Sequence, residues 1–217
     1  MSKLLRIGVL ASGGGTNLQA IIDRCQEGRL TAEIAVVITN NPGAGALDRA
    51  SSAGIKTLCI NHRDFAQRED FDHAVVDALH ENEVDLVVLA GFMRIITQTF
   101  IDAFPERIIN IHPALLPAFP GLNVQQQAID YGARFSGCTV HFVDGGVDTG
   151  PIIMQAVVPI LADDSADTLA ARILEQEHQA YPRAIQLIAE GRVHVDGRKV
   201  SIDQSCPSEQ TAIINPA

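Results

Sequence analysis

The sequence lacks a surplus of positive charge. Sixteen lysines and arginines face 26 aspartates and glutamates, a formal net charge of −10. A broad nucleic-acid surface needs a basic footprint, so that class is disfavoured. A small anionic ligand stays open, because it needs only a few local donors. Cysteine is scarce too. Cys25, Cys59, Cys138 and Cys206 are scattered, with no C-x-x-C pair. That argues against a disulfide frame or a zinc site and fits reduced thiols in the cytoplasm. No apolar run reaches membrane-spanning length. Leu4–Ala11 is too short and too β-like for a signal peptide or a span. There is no low-complexity tract, no internal repeat and no convincing linker. What remains is an ordinary globular composition, 47% hydrophobic over 217 residues. Such a chain can form one α/β domain, or two small ones, around a substantial core.

Apolar runs alternate with helical spacing along the first half. Strands are expected at Leu4–Ala11, Ile34–Thr39, Lys56–Ile60 and Asp85–Gly91. The last is apolar almost throughout, and so covered on both faces. Helices are expected from Leu18 onward, over Ala44–Ala53 before Gly54, over Asp64–Asn82 with Asp64 as cap, and around Thr97–Phe104. This alternation implies right-handed βαβ units and a mostly parallel central sheet with helices on both faces. After Gly121 the rhythm changes. A helix near Leu122–Tyr131 precedes a period-two strand at Cys138–Val143 and another strand at Ile152–Ile160, an antiparallel pair added to the sheet. A long helix over Ser165–Glu190 and a hairpin over Arg192–Ser201, turning at Asp196-Gly197, complete a single domain of residues 1–201. Residues 202–217 pattern weakly and are expected to fray or lie on the surface.

The stretch from Ile108 to Gly121 stands out. It opens as a β-branched apolar run and ends in prolines and a glycine. Asn110 and His112 lie two residues apart, so both side chains leave one face of a strand. Pro113 then stops the ladder, because it has no N–H to give. An amide and an imidazole are thus held together where a strand ends, which is where open α/β sheets place their chemistry. A core histidine backed by a Pro-rich loop explains the stretch equally well.

Two loops could complete a site. Ser12-Gly13-Gly14-Gly15-Thr16-Asn17 joins the first strand to the first helix. Glycine lets backbone N–H groups approach an anion, and the helix N-terminus adds its positive dipole end. The loop is neither G-x-G-x-x-G nor a Walker motif, which needs Gly-Lys-[Ser/Thr]. A single phosphate on a small substrate fits better than a dinucleotide or a nucleoside triphosphate. The second loop, Asp144-Gly145-Gly146-Val147-Asp148, carries an acid that could pair with His112. A carboxylate beside an imidazole favours the protonated ring. No G-x-S-x-G occurs and no cysteine lies near His112, so direct transfer between bound substrates suits the residues better than a covalent enzyme intermediate. No metal-ligand cluster is evident.

Ser12 to Gln19, Ala90-Gly91-Phe92-Met93-Arg94, Asn110-Ile111-His112-Pro113 with Leu115-Leu116-Pro117 and Pro120-Gly121, and Asp148 with Gly150-Pro151 together resemble the formyltetrahydrofolate-dependent formyltransferase family. The likeness runs from about Leu4 to Arg198. The glycine loop followed by Asn-Leu-Gln narrows it to members that formylate glycinamide ribonucleotide, or a hydrolytic relative. The resemblance implies a Rossmann-like formyltransferase fold and transfer of a formyl group from 10-formyltetrahydrofolate, a cosubstrate, to the amine of the ribonucleotide in purine biosynthesis. It implies Asn110, His112 and Asp148 as the catalytic group. It implies Gly15, Thr16 and Asn17 on the ribonucleotide phosphate and Glu177 on the ribose hydroxyls. Met93, Arg94, Ile95 and Ile96 would line the folate pocket, with Arg68 on the folate's acidic tail. Asp144, Gly145, Gly146, Val147 and Asp148 would close over the pterin, with Asn110 beside it. His141 and His178 read as structural; His62, His73, His80 and His194 receive no role.

The sequence departs from the family in places. Ala114 replaces a serine often found after His-Pro, Leu174 stands where a polar phosphate contact can occur, and Asn123 and Gln125 replace histidines of some members. Three rivals remain. A formyltetrahydrofolate hydrolase usually carries an extra N-terminal domain. A methionyl-tRNA formyltransferase would need a basic nucleic-acid module. A folate- or phosphate-binding module would not need the catalytic three. The expected partners are small molecules, with no nucleic acid and no membrane. A homodimer, which occurs among relatives, is allowed but not required.

Overall fold

The structure is a computed structural model that describes residues 4–203. Its centre is a seven-stranded sheet, built from β1 (Leu5–Ala11), β2 (Ala32–Thr39), β3 (Thr57–Cys59), β4 (Leu86–Leu89), β5 (Ile108–His112), β6 (Phe135–Phe142) and β7 (Ile152–Pro159). The spatial order is β3-β2-β1-β4-β5-β6-β7. The first five run parallel, and β6 and β7 are antiparallel additions. This is the α/β architecture expected from the alternating pattern.

Among the described residues six α-helices pack around the sheet: α1 (Thr16–Gln26), α2 (Gly45–Ser52), α3 (Arg68–Glu81), α4 (Gln98–Ala103), α5 (Val124–Tyr131) and α6 (Ala166–Ala189). Strand residues alternate between two cores. Ile7, Val9 and Ala11 join Leu18, Ile21, Leu169, Ile173 and Tyr181 on one face. Leu10, Val36 and Ile38 join Phe71, Val75, Leu79 and Phe100 on the other. Gly8 lets α3 come close, since a Cβ there would collide with the Leu79 side chain. Tyr181 is wholly buried, and its hydroxyl reaches the carbonyls of Leu89 (2.9 Å) and Ile109 (3.1 Å). Helix α6 thereby fastens the end of β4 and the residue of β5 just before Asn110.

The capping of α6 follows the sequence. Ser165 Oγ accepts the Thr168 N–H, and the Thr168 hydroxyl answers on the Ser165 N–H. The cap expected at Asp64 does not. His62–Asp64 is a 3-10 turn capped by Asn61, Phe65 is extended, and α3 begins at Arg68. Phe65 leaves the helical path to pack edge-on against Phe71, ring centres 5.7 Å apart. Helix α5 starts two residues late because Asn123 is left-handed, at φ 55°. Strand β6 begins at Phe135, three residues earlier than its period-two core. The closing hairpin, β8 (Val193–Asp196) and β9 (Lys199–Ile202), includes Ile202, so it passes the expected domain boundary at 201. The Asp203 N–H still bonds the Arg192 carbonyl. The tail expected to fray lies, from residue 204, outside the described residues.

Candidate active site

Strand order reverses between β1 and β4, the kind of place where open α/β sheets bind ligands among the loops that leave the carboxyl ends of their strands. Strand β5 delivers Asn110 and His112 to the same rim. The antiparallel register then sets Asn110 opposite His141 and His112 opposite Thr139.

The loop after β6 brings in Asp148. Its Oδ2 lies 3.3 Å from His112 Nδ1 and accepts the Gly121 N–H at 2.9 Å. His112 is almost fully buried, and its Nε2 meets the Phe119 carbonyl at 2.9 Å. Both ring nitrogens face acceptors, so a doubly protonated ring can donate to each. Asp148 therefore ties the Pro-rich wall, the acidic loop and the imidazole together. The wall is fastened from behind as well. Thr139 Oγ1 donates to Ala114 O (2.6 Å) and accepts the Leu116 N–H (3.1 Å), and Gln155 holds Leu116 O (2.9 Å). Leu116–Pro117 is a cis peptide bond.

His141 belongs to the same cluster, although the sequence pointed to a purely structural role. Its Nε2 is 3.3 Å from Asn110 Nδ2 and 3.7 Å from Asp148 Oδ1. Burial, the largest influence, pushes His141 below the ordinary histidine range. Burial thus favours the neutral ring. Nδ1–H donates to the Phe142 carbonyl at 2.7 Å, and Nε2 is left as an acceptor for the Asn110 amide. The signal that could have found it is the period-two strand beside β5; the pairing register was the missing fact.

At the glycine loop, Gly15 caps α1 in a left-handed conformation, φ 72°, with no capping side chain. The first N–H groups of a helix have no intrahelical acceptors. Here no cap takes them either, which suits an incoming anion. The loop carbonyls point away: Gly13 O accepts Ala46 N–H (3.1 Å) and Gly14 O accepts Arg49 Nε (2.7 Å). Thr16 is exposed. The Asn17 side chain is buried, and its Nδ2 donates to Glu177 Oε2 at 2.7 Å. Glu177 is buried too, and burial raises its carboxyl, with the Asn17 bond pulling weakly the other way.

The segment between β4 and α4 is irregular but tied down. Met93 N–H donates to Ser12 Oγ (2.8 Å), Arg68 Nη2 donates to Ile95 O (2.6 Å), and Thr97 N–H donates to Asp72 Oδ2 (2.6 Å). The Arg94 guanidinium sits 5.2 Å over the Phe71 ring. Met93 and Ile95 are exposed, whereas the Ile96 side chain turns into the core. In the opposite loop, Asp144 Oδ1 binds Gly146 N–H (3.1 Å) and Thr149 Oγ1 (2.5 Å). Asp144 is thus spent on its own turn, Asp148 is the acid that faces the histidines, and Gly145, Gly146 and Val147 are exposed. No group of three or more potential metal ligands occurs among the described residues.

A formyl transferase family model matches residues 5–185. The chain belongs to the formyl transferase family. A phosphoribosylglycinamide formyltransferase of Haemophilus influenzae is 45% identical over 91% of this chain and 93% of its own. The glycinamide ribonucleotide transformylase 1 of Symbiobacterium toebii superposes with a TM-score of 0.92 at 51% identity, covering 93% of this chain and 95% of that one. The trifunctional purine biosynthetic protein adenosine-3 of Drosophila melanogaster is 50% identical over 86% of this chain, which spans only 14% of that protein's length. The end of β5, the glycine loop and the 144–148 loop all lie within the matched residues. No helix among the described residues is long and apolar enough to cross a membrane.

Proposed function

We propose that this chain transfers the formyl group of 10-formyltetrahydrofolate to the amine of glycinamide ribonucleotide. The observation that carries the reading is the cluster at the end of β5, where Asp148 meets His112 and His141 meets both Asp148 and Asn110, in the same sheet whose first strand leads into the uncapped glycine-loop helix. Its full-length relatives bear the matching name.

The ribonucleotide phosphate takes the free N–H groups of Gly15, Thr16 and Asn17. Asn17 Oδ1, buried without a partner among the described residues, and the remaining oxygen of Glu177 are acceptors suited to ribose hydroxyls. Folate lies between the 93–96 segment and the 144–148 loop, against the exposed side chains of Met93, Ile95 and Val147.

The ribonucleotide amine attacks the formyl carbon. The oxygen of the tetrahedral intermediate gains negative charge and is met by the free Asn110 N–H and by His112, a preorganised polar site. The amine loses a proton, the folate N10 gains one, and the C–N10 bond breaks. His112, held by Asp148, carries the proton between them. Its Nε2 now donates to Phe119 O, so that carbonyl must yield before the ring serves substrate. Holding both substrates in one cleft removes much of the entropic barrier of a two-body reaction.

The test is an absorbance assay of 10-formyltetrahydrofolate with and without glycinamide ribonucleotide. Turnover that requires the amine is expected. Equal turnover without it would mean hydrolysis instead, and saturable binding without turnover would mean a binding module. His112→Ala is expected to bind both substrates yet lose at least about a hundredfold in kcat.

A further inference from the structure

The glycine loop and the 91–97 segment meet at Ser12. They leave β1 and β4, neighbouring strands at the reversal of strand order. Ser12 N–H donates to Gly91 O at 3.1 Å, and Ser12 Oγ accepts Met93 N–H at 2.8 Å. The Ser12 proton is committed elsewhere, to Asn40 Oδ1 at 2.6 Å, so its acceptor side is aimed at Met93. Asn40 is buried and locked in turn: its Nδ2 and its carbonyl lie 3.2 and 3.0 Å from His62 Nδ1. The later part of the segment has its own anchors, at Ile95 and Thr97. Between Gly91 and Met93 the hydrogen bonds among the described residues all go to Ser12.

Ser12 is also the first residue of the anion loop. The loop carbonyls of Gly13 and Gly14 are fixed to α2, while added Cβ atoms there would meet nothing within 4 Å. One side of the loop is therefore held and the other is open. An anion bound on the open side fixes the loop backbone that carries Ser12 Oγ, and through it the Met93 N–H. Ordering supplied by one ligand lowers the ordering cost of the next.

We propose that Ser12 is a positioning residue for the folate-binding segment, through which occupancy of the glycine loop by the ribonucleotide tightens folate binding. The proposal rests on the substrate assignment above. By linkage, folate must tighten ribonucleotide binding by the same factor.

Two measurements test it. Backbone hydrogen exchange on the free protein reads the tether alone. Met93 is expected to exchange faster in Ser12→Ala and at the native rate in Ser12→Thr, which keeps a hydroxyl. Asn40→Ala, which removes the acceptor that aims the hydroxyl, is expected to shift Met93 the same way. Unchanged exchange in Ser12→Ala would overturn the tether. Titration with tetrahydrofolate, with and without glycinamide ribonucleotide, reads the coupling. One hydrogen bond corresponds to about three- to tenfold in affinity. That tightening is expected in the wild type and in Ser12→Thr, and its loss in Ser12→Ala. Coupling that persists in Ser12→Ala, or is missing from the wild type, would overturn the proposal. If the wild type binds neither ligand, the substrate assignment and the coupling fall together, while the exchange comparison still decides the tether.

Discussion

His141 Nε2 lies 3.3 Å from the Asn110 amide nitrogen, across a directly paired position of β5 and β6. Because Nδ1–H is given to Phe142 O, only the nitrogen end of the Asn110 amide can face Nε2. The amide is thereby oriented, with its second N–H left for the reacting oxygen. His141→Phe removes the acceptor but keeps the bulk. We expect kcat to fall roughly tenfold, the effect of about 1.4 kcal/mol, with folate KM changing less than about threefold. His141→Gln, which can present an oxygen, is expected to recover part of the loss. Steady-state kinetics on both variants is the measurement, and a kcat untouched by the phenylalanine would show that Asn110 is oriented by something else.

Asp148 acts on two fronts, holding His112 Nδ1 at 3.3 Å and the Gly121 N–H at 2.9 Å. Its backbone is left-handed, φ 54°, a region that asparagine tolerates well. Asp148→Asn therefore removes the charge without straining the loop. The expected outcome is a kcat lowered by about a hundredfold or more, with ligand affinities and melting temperature nearly native. Turnover within about threefold of wild type would remove the carboxylate from the mechanism.

These two aspartate and histidine contacts differ in how far a sequence reader can reach them. Asn110 and His112 are legible locally, since a strand of period two puts them on one face. Asp148 is 36 positions beyond His112, and only the return of β6 alongside β5 brings its loop to the imidazole. His141 needed still more, a one-residue knowledge of register, because a slip would turn it to the opposite face. The cap at Asp64 failed for the converse reason. Local capping chemistry suits an aspartate there, but the packing of Phe65 on Phe71 outweighed it and moved the helix start to Arg68. The apolar run of β4 and the alternation of strands and helices carried the fold, since both report burial, which long-range packing reinforces rather than opposes.

Gly15 and Gly14 are adjacent but should respond oppositely to a methyl group. At Gly15, φ is 72° and a Cβ would stand 2.8 Å from Ala46 Cα, a backbone atom with little room to retreat. Left-handed strain alone costs about 1–2 kcal/mol. At Gly14 nothing lies within 4 Å of the added atom. Gly15→Ala is expected to lower the melting temperature by roughly 2–4 °C per kcal/mol lost and to raise ribonucleotide KM at least about tenfold, while folate KM moves less than about threefold. Gly14→Ala should melt within about 2 °C of wild type. Thermal melts and initial rates for both substrates check the pair; a larger rise in folate KM would show that the loop serves the other substrate.

Glu177 links the site to stability. It is 7% exposed, and burial raises its carboxyl above the ordinary range against the weaker pull of Asn17. Between the unfolded value of about 4.3 and the raised folded value, the folded state binds more protons. Stability contributed by this group is therefore present at low pH and lost as pH rises through the folded value. Glu177→Gln keeps an oxygen for the Asn17 N–H and cannot ionise. It is expected to be more stable than wild type at pH 7–8, with the advantage fading toward pH 4. Under the ribose assignment proposed for Glu177, ribonucleotide KM should rise about tenfold, in line with a hydrogen bond to a charged group. Denaturant melts from pH 4 to 8 and steady-state rates at pH 7.5 measure both effects. A stability gap that stayed constant across that range would show that the folded protein does not strain to keep this carboxylate charged.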